Sequence, residues 1–260
     1  MMRALSTAAT GMQAQQLNVD TIANNLANVN TPSFKKTRAR FQDLLYQDLR
    51  PAGHPSRLGP PAEMAVGHGT KVSSIERQFR QGTTEETGNP LHMLIEGDGF
   101  FQILRPDQDI AYTRDGSFAL SSDGHLVTSD GYYLEPEIVI PEGVAQLSVS
   151  PEGVVTALFH DGGDEEELGQ IELARFLNPA GLHSLGRSQY EETPASGEAI
   201  LGTPGIEGFG TILSGYLEGS NVEVVDEMVS LISAQRAYEI NSKAITTADE
   251  MLSTATQLVR

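Results

Sequence analysis

The stretch that most constrains this chain is its C-terminal end, residues 221–260, which contains neither Gly nor Pro. Large apolar side chains recur there at every seventh position, at Val224, Leu231, Tyr238, Ile245, Leu252 and Val259. A second row of mostly small residues runs beside the first, at Ala234, Asn241, Ala248 and Ala255. A seven-residue repeat sustained for about five heptads predicts a coiled-coil helix, roughly 60 Å long at its full extent. Ser220 and Glu223 have the spacing of a capping box at its start.

The N-terminal end carries a second, weaker heptad repeat. Its rows are Leu5, Met12, Val19 and Leu26, and Ala8, Gln15, Ile22 and Val29. They predict an amphipathic helix from about residue 4 to about residue 29, which Thr31-Pro32 would stop. We expect residues 1–30 and 220–260 to pair as a coiled coil with each other, with neighbouring copies, or with both. The large residues of the two repeats are then the assembly interface. The alternative is two surface helices of one globular domain.

Between the helices the hydrophobic pattern changes to one of short alternating segments. Residues 31–70 form a predicted connecting segment, whose Pro/Gly-rich second half is expected to be an extended insertion rather than a helix or a central strand. From residue 71 to residue 219, Asp-Gly turns at 115–116, 123–124 and 130–131 separate strand candidates. The predicted fold is therefore α+β: an all-β domain, antiparallel and hairpin-rich, inserted between terminal helices that form a coiled-coil domain.

The charge of the chain narrows the classes of partner. The chain has 17 basic and 35 acidic residues, a formal net charge of −18. Nucleic acids and anionic membranes are bound by basic surfaces, so neither is an expected partner. We expect no membrane insertion, since no apolar run approaches the length of a membrane-spanning helix. The N-terminus also lacks the apolar core of a signal peptide, which predicts either a cytosolic protein or export without a cleaved signal.

No pattern in the sequence indicates catalysis. The six His residues do not have the spacing of metal ligands, and there is no Cys. A phosphate-binding glycine loop and a nucleophile elbow are also missing. His160 and the acidic residues at 161–167 are more typical of a solvated hairpin tip than of a cation site. We therefore expect that the protein is not an enzyme, and that it has no catalytic residue, no cofactor and no bound metal.

Two runs of opposite charge lie next to the predicted helices. The basic run is Lys35, Lys36, Arg38 and Arg40, and the acidic run is Glu218, Glu223, Asp226 and Glu227. The two runs would approach each other if the terminal helices pack antiparallel. Exposed ion pairs contribute roughly 0 to 1 kcal/mol each, so we expect the runs to set register rather than stability. The alternative is that both are independently solvated.

Several motifs resemble those of the bacterial flagellar rod and hook axial proteins. Residues 23–35 read ANNLANVNTPSFK, and residues 97–101, 112–118 and 124–128 read GDGFF, YTRDGSF and GHLVT. Residues 220–224, 234–243 and 247–252 read SNVEV, AQRAYEINSK and TADEML. The resemblance covers essentially the whole chain, and residues 41–47, FQDLLYQ, are similar to those of distal rod members. Ser33 is a departure, because the family usually has Gly there and Ser would be strained at a positive φ.

The resemblance implies a structural subunit of the distal rod. Its terminal helices would form the inner tube of a hollow helical polymer that transmits torque from motor to hook, with the β domain packed around them. The implied partners are further copies of the chain, the proximal rod and hook proteins, the P-ring and L-ring proteins and the flagellar type III export apparatus. The implied location is the flagellar basal body, from the periplasm to the outer membrane. Alternatives are a hook or proximal rod protein, a secreted glycan-binding or glycan-hydrolysing β domain, and a soluble export chaperone.

Overall fold

A computed structural model describes residues 2–50, 64–159, 165–206 and 208–258 of the chain. It has one long helix towards each end of the chain and a mostly β middle, which confirms the predicted α+β class. The residues group into two compact units. The first, which we call the helical unit, comprises Met1–Ala27, Thr37–Arg77 and Glu223–Arg260. The second, the β unit, comprises Asn28–Lys36 and Gln78–Val222.

The two helices follow the heptad repeats closely. Helix α1 spans Met2–Ala27, and helix α2 spans Val224–Leu258. The first turn of α2 contains Asp226 and Glu227, whose negative charges favour the positive end of the helix dipole. Helix α1 ends just before an Asn-rich turn, in which the Thr31 amide donates a hydrogen bond to the Asn28 carbonyl.

The predicted capping box at Ser220 does not form. Helix α2 begins after Glu223, and the Ser220 hydroxyl instead accepts a hydrogen bond from the Val222 amide at 3.3 Å. The reason lies in Asn221, whose side chain and amide are hydrogen-bonded within the β unit and keep this segment non-helical. The helix can therefore start only beyond it.

The helical unit also contains two strand pairs. Strand β1 (Thr37–Asp43) pairs antiparallel with β4 (Thr70–Arg77), and β2 (Tyr46–Arg50) pairs antiparallel with β3 (Met64–Gly67). Much of the segment predicted as a connector, 31–70, is thus grouped with the helices, and part of its Pro/Gly-rich half is a strand. Residues 51–63 lie outside the described part of the chain.

The described part of the β unit consists of short strands with a single 3₁₀ turn at Pro179–Gly181. In chain order the strands are β5 (Thr84–Glu86), β6 (Met93–Glu96), β7 (Phe100–Leu104), β8 (Ile110–Thr113), β9 (Ala119–Leu120), β10 (Leu126–Val127), β11 (Tyr133–Glu135), β12 (Val144–Val149), β13 (Val154–Phe159), β14 (Glu166–Gln170), β15 (Leu173–Arg175), β16 (His183–Gly186), β17 (Gln189–Glu191), β18 (Ile200–Gly202), β19 (Thr211–Ser214) and β20 (Tyr216–Glu218).

The largest sheet of the β unit has the order β16-β17-β8-β7-β11-β10-β9, and β15 pairs with both β7 and β18. A three-stranded sheet has the order β12-β13-β14, and two further pairs are β6 with β19 and β5 with β20. The pairings are antiparallel, as the hairpin turns predicted. Strands β5 and β20 bring residues near position 85 next to residues near position 217, so the start and the end of the unit are joined.

The core of the β unit has a larger, mainly aliphatic cluster and a smaller, mainly aromatic one. Ile95, Phe101 and Ile103 are fully buried in the larger cluster. Tyr112 and Phe176 belong to the second cluster and meet edge to face, with ring centroids 4.8 Å apart. Such aromatic pairs contribute roughly 0.5 to 1.5 kcal/mol beyond their buried area. These rigid strands hold Arg114, at the end of β8, in a fixed position inside the unit.

Candidate assembly interface and buried charge cluster

Helices α1 and α2 pack against each other through small residues. Ala8 of α1 is buried, as are Ala234 and Ala248 of α2, whereas the buried Ala14 borders a cleft lined by Leu44 and Val72. At Gly11 the approach is so close that an added Cβ would lie 3.0 Å from the Asn241 Nδ2 atom. Small side chains allow two helix backbones to come near each other, so these positions define the surface along which the helices meet.

The two helices run antiparallel. Gly11, in the first half of α1, lies beside Asn241 in the middle of α2, whereas Asn25, near the end of α1, lies beside Glu227 at the start of α2. The Asn25 side chain donates to Glu227 Oε2 at 3.2 Å and to the Thr37 carbonyl at 2.9 Å, and its oxygen accepts the Thr37 amide at 2.9 Å. Asn25 is buried, so this hydrogen-bonded group fixes one end of the helix pair.

The predicted interface residues are placed unevenly on this helix pair. The four of α1, Leu5, Met12, Val19 and Leu26, are half-buried. Leu231, Ile245 and Leu252 of α2 are also half-buried, whereas Val224 and Tyr238 are exposed. Val19 and Tyr238 line one cleft, so the structure brings those two together. Val259 lies outside the described residues.

A second apolar face of α2 was missed by the heptad analysis. It consists of the exposed residues Val225, Met228, Val229, Ile232, Ile240 and Met251. Val225 is 74% exposed, Val229 60% and Ile240 69%. Successive residues of an α-helix are rotated by about 100°, which places these side chains on the side of α2 away from Ala234 and Ala248. We call this surface the outer face of α2. The signal was present in the sequence, in apolar residues that fall outside the heptad rows.

The two charged runs do not form a pair of surface patches that face each other. Their members have separate partners. Lys35 and Glu218 form an ion pair at 2.5 Å, with no exposed side-chain surface on either. Arg40 pairs instead with Glu76 across β1 and β4, and Glu227 accepts the hydrogen bond from Asn25. Lys36 is half-buried, and the exposed members of the two runs are Arg38, Arg40, Glu223 and Asp226.

Glu218 is the centre of a buried charge cluster, which consists of Lys35, Arg114 and Glu218. Its Oε1 atom accepts hydrogen bonds from Lys35 Nζ at 2.5 Å and from the Gly82 amide at 2.9 Å. Its Oε2 atom accepts one from Arg114 Nε at 3.0 Å. One carboxylate therefore serves two cations in the interior of the β unit.

The remaining donors of the two cations are directed at backbone carbonyls. Lys35 Nζ donates to the Arg80 carbonyl at 2.9 Å. Arg114 Nη2 donates to the carbonyls of Ile95, at 3.2 Å, and Gly97, at 2.7 Å. Arg114 is almost fully buried, like Lys35. Both charges are thus compensated by hydrogen bonds, as buried charges must be if the fold is to be stable.

The surroundings lower the pKa of Lys35 from 10.5 to about 8. Burial is the largest cause, because it disfavours the charged ammonium; Glu218 opposes it and Arg114 adds to it. The net direction shows that the one carboxylate does not fully offset the removal of Lys35 from water.

Ser33 lies directly against this cluster. Its φ is 54°, a positive value that favours Gly and strains Ser. The Ser33 amide donates to the Glu218 carbonyl at 2.7 Å, and its hydroxyl donates to the Arg114 carbonyl at 2.7 Å. The hydroxyl bond, which Gly could not make, offsets part of the backbone strain.

Asn221 joins three segments of the β unit. Its side-chain oxygen accepts the Lys36 amide at 2.7 Å, and its side-chain nitrogen donates to the carbonyls of Gln78, at 2.8 Å, and Arg80, at 3.0 Å. The Asn221 amide also donates to the Phe34 carbonyl at 3.3 Å. The segment after β20 is therefore hydrogen-bonded both to residues 34–36 and to residues 78–80.

The described residues offer no site for metal chemistry. No group of three or more His, Asp or Glu side chains among them could hold a metal ion. His160 and residues 161–164 of the predicted acidic tip lie outside the described part of the chain. Within the same described ranges, the helices are too short or too polar to cross a membrane.

Three family models match successive parts of the chain. They are described as flagella basal body rod protein, over residues 5–35, flagellar hook protein FlgE/F/G D1 domain, over residues 94–157, and flagellar basal body rod FlgEFG protein C-terminal, over residues 213–258. Together they include α1, a large part of the β unit and α2.

Curated relatives match the whole length. The chain is 53% identical over 264 residues to the flagellar basal-body rod protein FlgG of Borreliella burgdorferi, with 100% of both chains covered. It is 47% identical to FlgG of Caulobacter vibrioides, with 99% of each covered, and 38% identical to FlgG of Bacillus subtilis, with 100% of each covered. The match to the flagellar hook protein FlgE of Helicobacter mustelae, 41% identical, covers only 30% of that protein. The chain therefore belongs to the FlgG family of flagellar basal-body rod proteins, and it is a structural subunit of the distal rod rather than an enzyme.

Proposed function

We propose that this subunit assembles into a hollow helical drive shaft through the outer face of α2, and that the α1–α2 pair is a coiled coil that lines the inner tube. The observation that carries the proposal is that α2 has two apolar sides. One packs on α1 within the subunit, and the other exposes Val225, Val229, Ile232 and Ile240. Val225, Met228, Val229 and Ile232 are spaced as neighbours on one side of α2, and an exposed apolar surface of this kind marks an interaction site.

The occupant that fits the outer face best is another copy of the same chain. Burying one Val, Ile or Met side chain contributes roughly 1.5 to 3 kcal/mol, whereas association costs roughly 4 to 15 kcal/mol. Most of the outer face must therefore be covered at once, which requires a long complementary surface such as a second helix pair. When the patch and its complement lie on different parts of the subunit, the contact does not close and a helical filament results.

The predicted interface residues and the charged runs would both contribute to contacts between subunits. The half-buried heptad residues and the exposed Val224 and Tyr238 would complete their burial against neighbouring subunits. The exposed charges at Arg38, Arg40, Glu223 and Asp226 would set the register between subunits. Each such pair adds little stability, so its effect would be on which contacts form rather than on how strongly they hold.

The position in the organelle extends the same proposal. The shaft would run from the periplasm to the outer membrane, transmit torque from motor to hook and join the proximal rod at one end and the hook at the other. Around it would lie the P-ring and L-ring proteins. Subunits would reach this place through the flagellar type III export apparatus, without a cleaved signal peptide.

The test is a charge placed on the outer face. We expect Ile232→Glu combined with Val229→Glu to abolish tube formation by concentrated protein, because both side chains are exposed in the subunit and buried in the polymer. Ser253→Glu, also exposed but outside the apolar face, is the matched control and should still form tubes. Electron microscopy and sedimentation measure assembly, and far-ultraviolet circular dichroism verifies that the helices are intact. Tubes formed equally well by the double variant would overturn the proposal.

A further inference from the structure

The buried charge cluster of the β unit joins parts of the chain that are far apart in sequence. Lys35 and Glu218 are 183 residues apart, and Arg114 and Glu218 are 104 residues apart. Lys35 belongs to residues 28–36, the segment that follows α1 and is grouped with the β unit. Glu218 belongs to β20, near the point where the chain leaves that unit.

The buried charge cluster has two positively charged side chains and only one negatively charged side chain. Two cations share one carboxylate, and each of the three side chains is almost completely removed from solvent. A buried charge is tolerated only when it is paired and hydrogen-bonded. Glu218 is consequently required by both partners at once: without it, Lys35 and Arg114 would be two uncompensated cations in the same interior.

Several further contacts of residues 33–36 are made with the same late part of the chain. The Ser33 amide donates to the Glu218 carbonyl, the Phe34 carbonyl accepts the Asn221 amide, and the Lys36 amide donates to the Asn221 side chain. Residues 218–221, which follow the segment by more than half the length of the chain, therefore contribute to holding it, beside the contacts with residues 78–80 and Arg114.

We propose that Lys35, Arg114 and Glu218 form a charge-gated latch, which holds residues 28–36 on the β unit only once the carboxylate of β20 is in place. A chain made from its N-terminus places Lys35 and Arg114 first and Glu218 last. Before β20 arrives, docking residues 33–36 would bury two cations without a counterion, so the segment next to α1 stays undocked. Completion of the C-terminal strand then closes the latch.

If the latch operates as proposed, docking of residues 33–36 in a variant without the Glu218 charge should depend on pH. The charged groups that face the Lys35 ammonium are Glu218 of β20 and Arg114 after β8. With Glu218 neutral, only the repulsion from Arg114 and the cost of burial remain, and both are relieved when Lys35 loses its proton. Raising the pH should therefore restore docking in a Glu218→Gln variant, whereas a destabilised variant that lacks Lys35 has no such reason to recover.

The experiment compares full-length wild type, Glu218→Gln, Lys35→Met and the double variant Lys35→Met/Glu218→Gln by tryptic cleavage after Lys36. Rates are divided by those of a synthetic peptide of residues 28–45, which corrects for the pH dependence of trypsin. At neutral pH we expect cleavage of Glu218→Gln to be at least about tenfold faster than that of wild type, the size of change that a shift of one pKa unit corresponds to. Its rate should fall as the pH is raised above 9. The double variant, in which Arg114 alone is left without a counterion, should be cleaved more slowly than Glu218→Gln at neutral pH, at a rate that does not respond to pH.

Several outcomes would overturn the latch. They are wild-type protection of Glu218→Gln at neutral pH, fast cleavage that does not respond to pH, or a double variant that is cleaved as fast as Glu218→Gln. Should Glu218→Gln unfold the β unit altogether at neutral pH, its near-ultraviolet circular dichroism is followed as the pH is raised from 7 to 10. Recovery of the native spectrum supports the latch, and a spectrum that stays unfolded throughout refutes it. All of these measurements use the dilute subunit, so they are independent of polymer formation.

Discussion

Lys35 has a role that its neighbours in the sequence do not indicate. It precedes Lys36 in a basic run that predicts a solvated surface, yet its side chain is completely buried and forms an ion pair with Glu218. The sequence predicted that this basic run approaches the acidic run that contains Glu218, but it could not show the burial or the part of Arg114, which reaches the pair only through the pairing of distant strands. A run of like charges in a sequence gives the sign of the charge on that segment, but tertiary structure decides whether each side chain is buried.

Lys35 also makes the stability of the β unit depend on pH. Its pKa is about 8 in the folded protein and 10.5 ordinarily, so between these values the unfolded chain binds the extra proton. The free energy of unfolding should therefore rise as the pH increases from about 8 towards 10.5, by up to about 3 kcal/mol. Urea unfolding followed by near-ultraviolet circular dichroism at several pH values measures the rise.

Lys35→Met is the matched control for this prediction, because it keeps a long side chain and has no proton to lose. Its stability should lack the rise seen in wild type. The comparison belongs below about pH 10, since burial and the neighbouring Glu192 raise the pKa of Tyr112 to about 12. That folded phenol retains its proton longer than the unfolded one, so Tyr112 lowers stability above pH 10. Parallel curves for wild type and Lys35→Met would contradict the assignment.

At the scale of elements, the helices could be predicted from the sequence and their contact surface only in part. The seven-residue repeats located both helices to within a few residues. The close approach is at Gly11, beside Asn241, and Ala234 and Ala248 are buried. The large residues of the first heptad rows are half-buried or exposed, whereas Ile22 of the second row is buried. Hydrophobic periodicity identifies the side of a helix that is buried, but the distance between two helices is set by side-chain size.

The strands were predictable where turn residues separate them and unpredictable elsewhere. Gly124 and Gly131 have positive φ, as the Asp-Gly turns indicate. Gly116 does not; it is needed because a Cβ would collide with the Met93 carbonyl, a reason that no local pattern shows. Strand β3, at Met64–Gly67, was hidden by the Pro/Gly-rich composition around it.

The contact between Gly11 and Asn241 provides a test of the helix pair. Gly11→Val should lower the thermal stability of the helices, because a branched side chain there collides with Asn241 and overpacking costs typically 1 to 3 kcal/mol. Thermal unfolding followed by circular dichroism at 222 nm measures the change.

Two further variants separate this collision from a change in helix propensity. Ala9→Val places the same side chain on the exposed side of α1 and should have a much smaller effect. Asn241→Ala combined with Gly11→Val removes the colliding atoms, so it should recover most of the loss. A double variant no more stable than Gly11→Val would show that the two residues do not compete for the same space.

At the scale of the whole molecule, assembly must overcome like charge. Each subunit has a formal net charge of −18, and neighbouring copies in a polymer repel one another. Raising the ionic strength from about 0.01 M to about 0.15 M shortens the screening length from about 30 Å to about 8 Å. We therefore expect the critical concentration for tube formation to fall over this range, as measured by light scattering. A critical concentration that rises with salt would mean that ion pairs, rather than the apolar outer face, dominate the contact.

The hydrogen bond between the Phe34 carbonyl and the Asn221 amide has a consequence for how such a protein can change over time. Together with the bonds from the Asn221 side chain to the carbonyls of Gln78 and Arg80, it holds the segment at which the chain enters the main part of the β unit beside the segment at which it leaves, as in a domain inserted through two adjacent linkers. Residues added between these two segments need not draw them apart. The middle of the chain should therefore tolerate insertions in its exposed turns.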